Sequence, residues 1–161
     1  MTHAHARPLI SVVVPAYNAE QTLAFTIASL GRERDTKFEC IIVNDGSTDS
    51  TRALADDLAR RDARVRVVHQ PNRGLAGARN TGIEHARGDL LYFLDADDWV
   101  LPGGLDSLAR ACERTGASFG AFEFRDSSGA RRILLHEPTL PAFSLTQLLD
   151  LHFVIVHRTM Y

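Results

Sequence analysis

Four short runs of apolar, mostly β-branched residues recur in the first hundred positions, and a segment with helical features separates each run from the next. The runs are LISVVVP at 9–15, FECIIVN at 38–44, VRVVH at 65–69 and LLYFL at 90–94. Apolar residues at helical spacing occupy the segments between them, as Leu23, Ile27 and Leu30 do in the first. Near-continuous apolar strands joined by helices indicate a parallel sheet covered on both faces. The sequence therefore predicts an open, mainly parallel α/β sheet, whose ligands bind beyond the carboxyl ends of the strands.

Polar residues close each strand and open the following helix. Asn18, with Gln21 three positions later, predicts an N-cap and capping box for the first helix. The segment DGSTDS at 45–50 carries turn and cap signals for the second helix. The third helix is predicted in GLAGARNTGIEHARG at 74–88, where small residues allow close packing.

The pattern loosens after Trp99. A helix is predicted in PGGLDSLARACERTG at 102–116, with Leu105, Leu108 and Cys112 facing inward. FGAFEF and RRILL predict a hairpin across RDSSGA, and SLTQLLDLH at 144–152 predicts a short helix. A last strand-like segment, FVIVHRTMY, closes the sequence.

Charge and cysteine content narrow the function classes. The formal net charge is −2, so nothing suggests the basic footprint of a nucleic-acid binder. Cys40 and Cys112 lie inside apolar patterns and are predicted to be buried, reduced thiols, which favours a reducing compartment. No apolar run approaches the roughly 20 residues of a membrane span. His3 and His5 belong to a polar tail at 1–8, predicted to be flexible and given no role.

The stretch LLYFLDADDWVLPGG at 90–104 places three carboxylates directly after a buried strand. Asp95 and Asp97 are two positions apart, so in an extended strand end they project to the same side and can share one site. Oxygen ligands without a nearby His or Cys favour Mg²⁺ or Mn²⁺, which takes its other ligands from water and substrate phosphates. The alternative is an acidic cap, in which Asp97 or Asp98 closes a turn. The position after a buried strand favours the metal site.

The ends of the first two strands supply further candidates. Pro15 stops the first strand and leaves Ala16 and Tyr17 to line a crevice, where backbone carbonyls and an aromatic face suit a nucleobase. Asp45 follows the second strand directly and can accept hydrogen bonds from a base or a ribose hydroxyl. For Ser47, Thr48 and Asp49, helix capping is the favoured interpretation.

The helix after the third strand offers cations. Arg73 and Arg79 are candidate diphosphate partners, because a guanidinium matches phosphate oxygens in a bidentate way. The glycines of this segment match neither G-x-G-x-x-G nor a P-loop, and close helix packing is the favoured reason for Gly77 and Gly82.

These motifs together resemble a known family. In order, SVVVPAYNAEQTL, IIVNDGSTDST and NRGLAGARNTGIEHARGDLLYFLDADDW resemble the family 2 glycosyltransferases, over Ile10 to Trp99. The resemblance implies the GT-A fold, a nucleotide-diphosphate sugar donor with UDP favoured, a divalent cation (Mn²⁺ or Mg²⁺) and inversion at the anomeric carbon. The acceptor it implies is a saccharide, a lipid-linked molecule or a protein.

The resemblance also implies roles for individual residues. It places Pro15, Ala16, Tyr17 and Glu20 beside the nucleoside, Asp45 at the base, and Arg79 and Asn80 near the ribose or diphosphate. Asp95 and Asp97 match the two acids of the family's DxD motif. Asp97 is expected to bind the metal, with Asp95 facing ribose or sugar and serving as a second metal candidate.

The resemblance stops short of the family's general base, which lies in a motif beyond the segment resembled by VIVHRTMY, so the base is expected beyond Tyr161. The predicted organisation is one domain, with a nucleotide-sugar-binding half at 9–99 and the incomplete start of an acceptor half at 100–161. Its expected location is the cytoplasm, with a peripheral position at the inner face of the membrane as an alternative.

Three alternatives stay open at this point. A truncated or inactive fragment would bind a nucleotide sugar without turnover. A nucleotide-sugar pyrophosphorylase would show a glycine-rich, basic loop where this chain has PAYNAEQ, and an acid-cluster phosphatase would place its nucleophilic Asp where Pro15 and Ala16 stand.

Overall fold

The computed structural model describes residues 10–33, 37–115, 122–125, 131–134 and 155–157. The strands in these residues are β1 (Ile10–Ala16), β2 (Phe38–Asp45), β3 (Val65–Gln70), β4 (Leu90–Phe93), β5 (Phe122–Arg125), β6 (Arg131–Leu134) and β7 (Ile155–His157). The helices are α1 (Leu23–Leu30), α2 (Thr51–Arg61), α3 (Gly74–His85) and α4 (Gly104–Thr115).

The strands form one larger sheet and one hairpin. The larger sheet has the order β3-β2-β1-β4-β7, in which the first four strands are parallel and β7 runs antiparallel to β4. β5 and β6 pair as an antiparallel hairpin. The predicted open, mainly parallel sheet and the predicted hairpin are both confirmed, whereas the helix predicted at 144–152 and the tail at 1–8 lie outside the described residues.

Alternate residues of the central strands feed two separate cores. Val12 and Val14 of β1 pack in a cluster that contains Leu23 of α1, Ala55 of α2 and Leu105 of α4. The residue between those two valines points to the opposite face of the sheet. Helices therefore cover both faces, which explains why the strands are apolar without alternation.

The second core lies between the sheet and α3. Val13 of β1, Ile41 of β2 and Phe93 of β4 cluster there with Ala78 of α3. Gly82 makes this packing close, because a Cβ atom built on it would lie 2.1 Å from Cγ1 of Val13. The sequence interpretation of Gly82 as a packing glycine is therefore confirmed.

The order of the strands creates a switch point between β1 and β4. From β1 the chain moves outward through β2 to β3, and it then returns across the sheet through α3 to place β4 on the other side of β1. The loops that leave β1 and β4 consequently diverge. In open α/β sheets this divergence opens the crevice where ligands bind.

The predicted cap of α1 is wrong. The helix begins at Leu23, with Thr22 as the N-cap residue, and Asn18 stands one turn earlier with a φ of 50°. The Asn18 side chain bonds to the loop after β2 instead. Asn and Asp tolerate this left-handed conformation better than other non-glycine residues, which is a local reason for an Asn at this place.

The remaining predictions concern the thiols and membrane crossing. Cys40 is fully buried with a free thiol, and burial raises the pKa of that thiol, as expected for an inert core residue. Of the residues predicted to face inward from α4, Leu105 and Leu108 are buried, and the Cys112 side chain lies outside the described part. Among the described residues, no helix combines the length and apolar character needed to cross a membrane.

Candidate functional site

An open cleft of about 550 Å³ lies at the switch point of the sheet. One wall is the loop after β1 and the start of α1, and the other is the loop after β4. Its described lining residues are Pro15, Tyr17, Asn18, Ala19, Glu20, Gln21, Thr22, Asp49, Leu75, Asp95, Ala96 and Asp97. Five of the nine predicted site residues are thus brought together: Pro15, Tyr17, Glu20, Asp95 and Asp97.

The other four predicted residues are not among the described lining residues. Ala16 is buried at the end of β1, and Asp45 and Arg79 are 3% and 4% exposed. Asn80 is exposed on α3, next to Arg79. Of these four, Arg79 has a described contact with a lining residue, its ion pair with Asp95.

Hydrogen bonds lock the loop after β1 to the loop after β2. Oδ1 of Asn18 accepts a hydrogen bond of 2.8 Å from the Thr48 amide, and the Asn18 amide donates to Oγ of Ser47 at 3.1 Å. The Ala19 amide donates to Oγ1 of Thr51, where α2 begins, at 2.7 Å. These bonds satisfy backbone amides that lie outside the strands and helices, and they hold the first wall of the cleft in place.

Glu20 also forms hydrogen bonds between the loop after β1 and the loop after β2. Its Oε2 accepts a hydrogen bond of 2.9 Å from the Ser50 amide, and its own amide donates to Oδ2 of Asp49 at 3.3 Å. Oδ1 of Asp49 accepts from the Thr51 amide at 2.9 Å. Asp49 thus bonds the first turn of α2 and the wall of the cleft at once, which partly agrees with its predicted capping role.

Asp45 is held at the end of β2 by two donors. Its Oδ1 accepts from Nε2 of Gln70 at 2.6 Å and from the Arg73 amide at 2.8 Å. Thr81 of α3 donates in turn to Oε1 of Gln70 at 2.6 Å. Both of these bonds use the same carboxylate oxygen of Asp45.

Gly46 allows the loops after β2 and β3 to approach each other. Its φ is 70°, and a Cβ atom on it would lie 2.6 Å from the backbone nitrogen of Asn72. A side chain would therefore be unfavourable both in conformation and in space.

A partly buried ion pair joins α3 to the loop after β4. A terminal guanidinium nitrogen of Arg79 lies 3.0 Å from Oδ1 of Asp95. The guanidinium also lies over the Phe93 ring, 5.7 Å from its centroid, and its buried Nε has no hydrogen-bond partner among the described residues. A buried charge needs a partner, so this contact fixes the orientation of Asp95.

The acid loop, residues 95–99, is anchored to α1 from below. Oγ1 of Thr26 donates to the Ala96 carbonyl at 2.8 Å, and the Val100 amide donates to Oγ of Ser29 at 3.0 Å. Within the loop, the Asp98 amide donates to the Asp95 carbonyl at 3.0 Å, which closes a turn. Asp97 is the exposed carboxylate of this turn.

Among the described residues, the charged side chains that line the cleft are all carboxylates, and Arg79 of α3 pairs with one of them, Asp95. The described lining carries four carboxylates, those of Glu20, Asp49, Asp95 and Asp97, and no Lys, Arg or His. Burial raises the pKa of Tyr92, which lies on β4 beneath the acid loop, and the charges of Asp98 and Asp95 raise it further. An anionic ligand would be repelled from such a cleft unless a cation accompanied it.

The residues present fit a metal ion held partly by its substrate. The described residues contain no group of three or more His, Cys, Asp or Glu side chains placed to hold a metal. Asp95 and Asp97 supply carboxylate oxygens, the donors that Mg²⁺ and Mn²⁺ prefer. Mg²⁺ sites in particular use one or two carboxylates and take the remaining ligands from water and phosphate groups.

Sequence reasoning missed two residues that support the site, Thr26 and Ser29. Both face the core, on the same side of α1 as Leu23, Ile27 and Leu30. A buried hydroxyl on an apolar helix face must find a hydrogen-bond partner, so these two positions signal a contact. The partner itself, 70 positions away, could not be inferred without the fold.

Comparisons with known proteins agree with this geometry. The model of the family described as "Glycosyl transferase family 2" matches residues 11–161. The uncharacterized glycosyltransferase EpsJ of Bacillus subtilis is 42% identical over 125 residues, which cover 78% of this chain and 36% of EpsJ. The putative glycosyltransferase EpsH of the same organism is 41% identical over 103 residues, 64% of this chain and 30% of EpsH. The chain thus spans about a third of the length of these two relatives.

Solved structures show the same architecture. S. aureus TarS 1–349 in complex with UDP-GlcNAc matches with a TM-score of 0.62 and 28% identity, over 68% of this chain and 32% of that one. The mannosyltransferase PcManGT from Pyrobaculum calidifontis in complex with GDP-Man and Mn²⁺ matches with a TM-score of 0.61 and 28% identity, over 73% of this chain and 35% of that one. The switch-point cleft, the family match and the solved structures lead to one conclusion: the chain belongs to glycosyl transferase family 2, a family of transferases, and has the GT-A fold.

Proposed function

We propose that the cleft binds a nucleotide-diphosphate sugar together with Mn²⁺ or Mg²⁺, and that the sugar is transferred with inversion to an acceptor hydroxyl. The observation that carries the proposal is a cleft at the switch point of the sheet whose charged side chains, among the described lining residues, are all carboxylates. A diphosphate carries several negative charges, so this lining accepts it only with a cation. Binding of UDP-GlcNAc by TarS, and of GDP-Man with Mn²⁺ by PcManGT, supports a donor of this class.

The loop after β1 would receive the nucleoside. Tyr17 is 53% exposed and lines the cleft beside Pro15, so its ring offers a flat apolar surface to a base. Ala16 ends β1 at this point. Glu20 lies four residues further on, and a hydrogen bond from the Ser50 amide holds its carboxylate. We assign the base contact to Asp45 through its second oxygen, since Gln70 and Arg73 occupy the first.

Asp95 and Asp97 would contact different parts of the sugar–diphosphate end of the donor. Asp97 is exposed at the turn and is the proposed metal ligand. Asp95 is held by Arg79, so it can accept a hydroxyl of ribose or sugar in a fixed orientation, and it is the second candidate ligand. Arg79 therefore acts through Asp95, and the exposed Asn80 is the proposed neighbour of ribose or diphosphate.

In the proposed reaction, an acceptor oxygen attacks the anomeric carbon as the bond from that carbon to the diphosphate oxygen breaks. A base takes the proton of the acceptor hydroxyl, and the nucleoside diphosphate leaves. The bound cation would supply charge stabilisation for the departing diphosphate. The residues of this chain orient the donor: the lock between the two loops fixes the nucleoside end, and the anchored acid loop fixes the diphosphate end.

A thermal-shift screen tests the proposal and identifies the base. UDP, GDP, CMP and dTDP are added separately, each with Mn²⁺ and with EDTA, and Mn²⁺ alone is the control. A ligand at 100 times its dissociation constant adds about 2.7 kcal/mol of stability, which raises the melting temperature of a chain of this size by roughly 5 to 10 °C. We expect this shift for UDP with Mn²⁺ and a much smaller one with EDTA. The absence of a shift with all four nucleotides would contradict the proposal.

A further inference from the structure

We infer that Thr26 and Ser29 of α1 are positioning residues, which hold the acid loop at 95–99 in the geometry that Asp97 needs to bind a cation. The geometry of the inference comes from the hydrogen bonds of the two hydroxyls. Its consequence for cation binding rests on the proposed function. Neither residue lines the cleft, so neither is expected to touch donor or metal.

The two hydroxyls form hydrogen bonds with backbone groups on both sides of Asp97. Thr26 donates to the carbonyl of Ala96, the residue immediately before Asp97, and Ser29 accepts from the amide of Val100, three residues after it. The Ser29 hydroxyl also donates to the backbone carbonyl of Thr26 at 2.6 Å, a bond within α1 that orients it. Hydrogen bonds from two positions of α1 therefore hold both ends of the segment that carries Asp97.

These contacts lie in the interior, where a lost hydrogen bond is not replaced by water. Thr26 is 0% exposed and Ser29 is 5% exposed, while Ala96 and Val100 are 9% and 6% exposed. Removing either hydroxyl would leave a buried backbone group of the loop without its partner. The loop would then move to reach water or another donor, and Asp97 would move with it.

Asp95, the first acid of the motif, has a contact that does not involve α1. Asp95 is held by Arg79 from α3, on the opposite face of the sheet from α1. Loss of the α1 contacts should therefore disturb Asp97 more than Asp95. The expected signature is a loss of cation-dependent affinity, with little change in the nucleotide affinity measured without a cation.

The test compares Thr26→Val with Thr26→Ser. Valine keeps the shape of threonine and removes the hydroxyl, whereas serine keeps the hydroxyl and removes a methyl group. Ser11→Ala is the matched control, because Ser11 is also fully buried and its hydroxyl donates to Glu39 and accepts from the Gly88 amide at the amino end of β1, away from the cleft. Ser29→Ala is the second variant in case Thr26→Val does not fold.

Two measurements are made on each folded variant. Amide hydrogen exchange follows the Asp98 amide, whose bond to the Asp95 carbonyl closes the turn. Calorimetry measures UDP binding with Mn²⁺ and with EDTA. For Thr26→Val we expect faster exchange at Asp98 and about tenfold weaker binding with Mn²⁺, since residues that support metal ligands typically contribute 10- to 100-fold to metal affinity. Thr26→Ser should restore both, and Ser11→Ala should change neither.

Each outcome decides a different question. If the unaltered chain binds none of the nucleotides, the proposed function fails, and the exchange rate at Asp98 still tests whether Thr26 holds the loop. If the unaltered chain binds UDP with Mn²⁺ and Thr26→Val binds it equally well, the positioning role is overturned. An equal loss of affinity in Ser11→Ala would also overturn it, because the effect would then follow general destabilisation.

Discussion

Replacing Asp97 with alanine is expected to weaken Mn²⁺-dependent binding of UDP by at least about 100-fold, since removing a metal ligand should cost no less than removing its supporting contacts. The physical reason is the charge of the cleft. Asp97 is the exposed carboxylate of the acid loop, whereas the charge of Asp95 is already paired with Arg79. Without Asp97 the cation loses a carboxylate for which the described residues show no ion pair, and the diphosphate then meets the remaining carboxylates with less compensation.

Calorimetry of UDP binding with Mn²⁺ and with EDTA measures this effect. The matched control is Asp98→Ala, which removes a carboxylate from the neighbouring position and is expected to weaken binding less. Because Asp97 is exposed, its replacement should leave the melting temperature of the ligand-free chain within about 2 °C of the original value. Equal affinity in Asp97→Ala and in the unaltered chain would remove Asp97 from the metal site.

The substitution Gly82→Ala is expected to destabilise the fold by about 3 kcal/mol, the upper part of the usual range for overpacking a core. Its Cβ atom would lie 2.1 Å from Cγ1 of Val13, which is fully buried in the centre of the sheet. At an exposed helix position the same change would instead stabilise by up to about 1 kcal/mol. Contact with β1 therefore reverses the sign of the effect.

Urea denaturation measures this loss, and a double substitution identifies its cause. Val13→Ala removes the two methyl groups that the new Cβ would strike, so Gly82→Ala should cost much less in a Val13→Ala background. Strictly additive free energies of unfolding would show that the contact with Val13 is not the cause. Gly82 lies one turn after Arg79 on α3, so a shift of this helix would also disturb the ion pair with Asp95.

The sequence predicts most of the elements because their signals are local. Continuous apolar runs such as those at 38–44 and 90–94 identify buried parallel strands, and spacing alone places Leu105 and Leu108 on the inner face of α4. The error at the start of α1 has a clear cause. Asn18 has the chemistry of a cap, but its side chain is used across the chain, 30 positions away at Thr48. No local pattern distinguishes these two uses.

The sequence predicted which residues line the cleft better than it predicted how they are arranged in space. The position of Asp95 and Asp97 after a buried strand, and of Pro15 and Tyr17 after another, led to residues that line one cleft. That β4 returns to the far side of β1 is a property of strand order, which periodicity does not specify. The partner of Arg79 follows from that order.

Arg79 shows how the same chemistry can serve a different partner. Its guanidinium was predicted to meet a diphosphate, and in the structure it meets Asp95 while being 4% exposed. Bidentate recognition of carboxylate and of phosphate uses the same donors, so residue type alone leaves the choice open. The structure shows the contact with the carboxylate, which follows from the position of α3.

The most direct test of the account is a calorimetric titration of UDP into the unaltered chain, performed once with saturating Mn²⁺ and once with EDTA. Four carboxylates and no basic side chain among the described lining residues predict saturable binding at one site with Mn²⁺ and an affinity at least about tenfold weaker without it. The reason is that the cation offsets the repulsion between diphosphate and carboxylates. Equal affinity under the two conditions would contradict a cation-dependent donor site in this cleft.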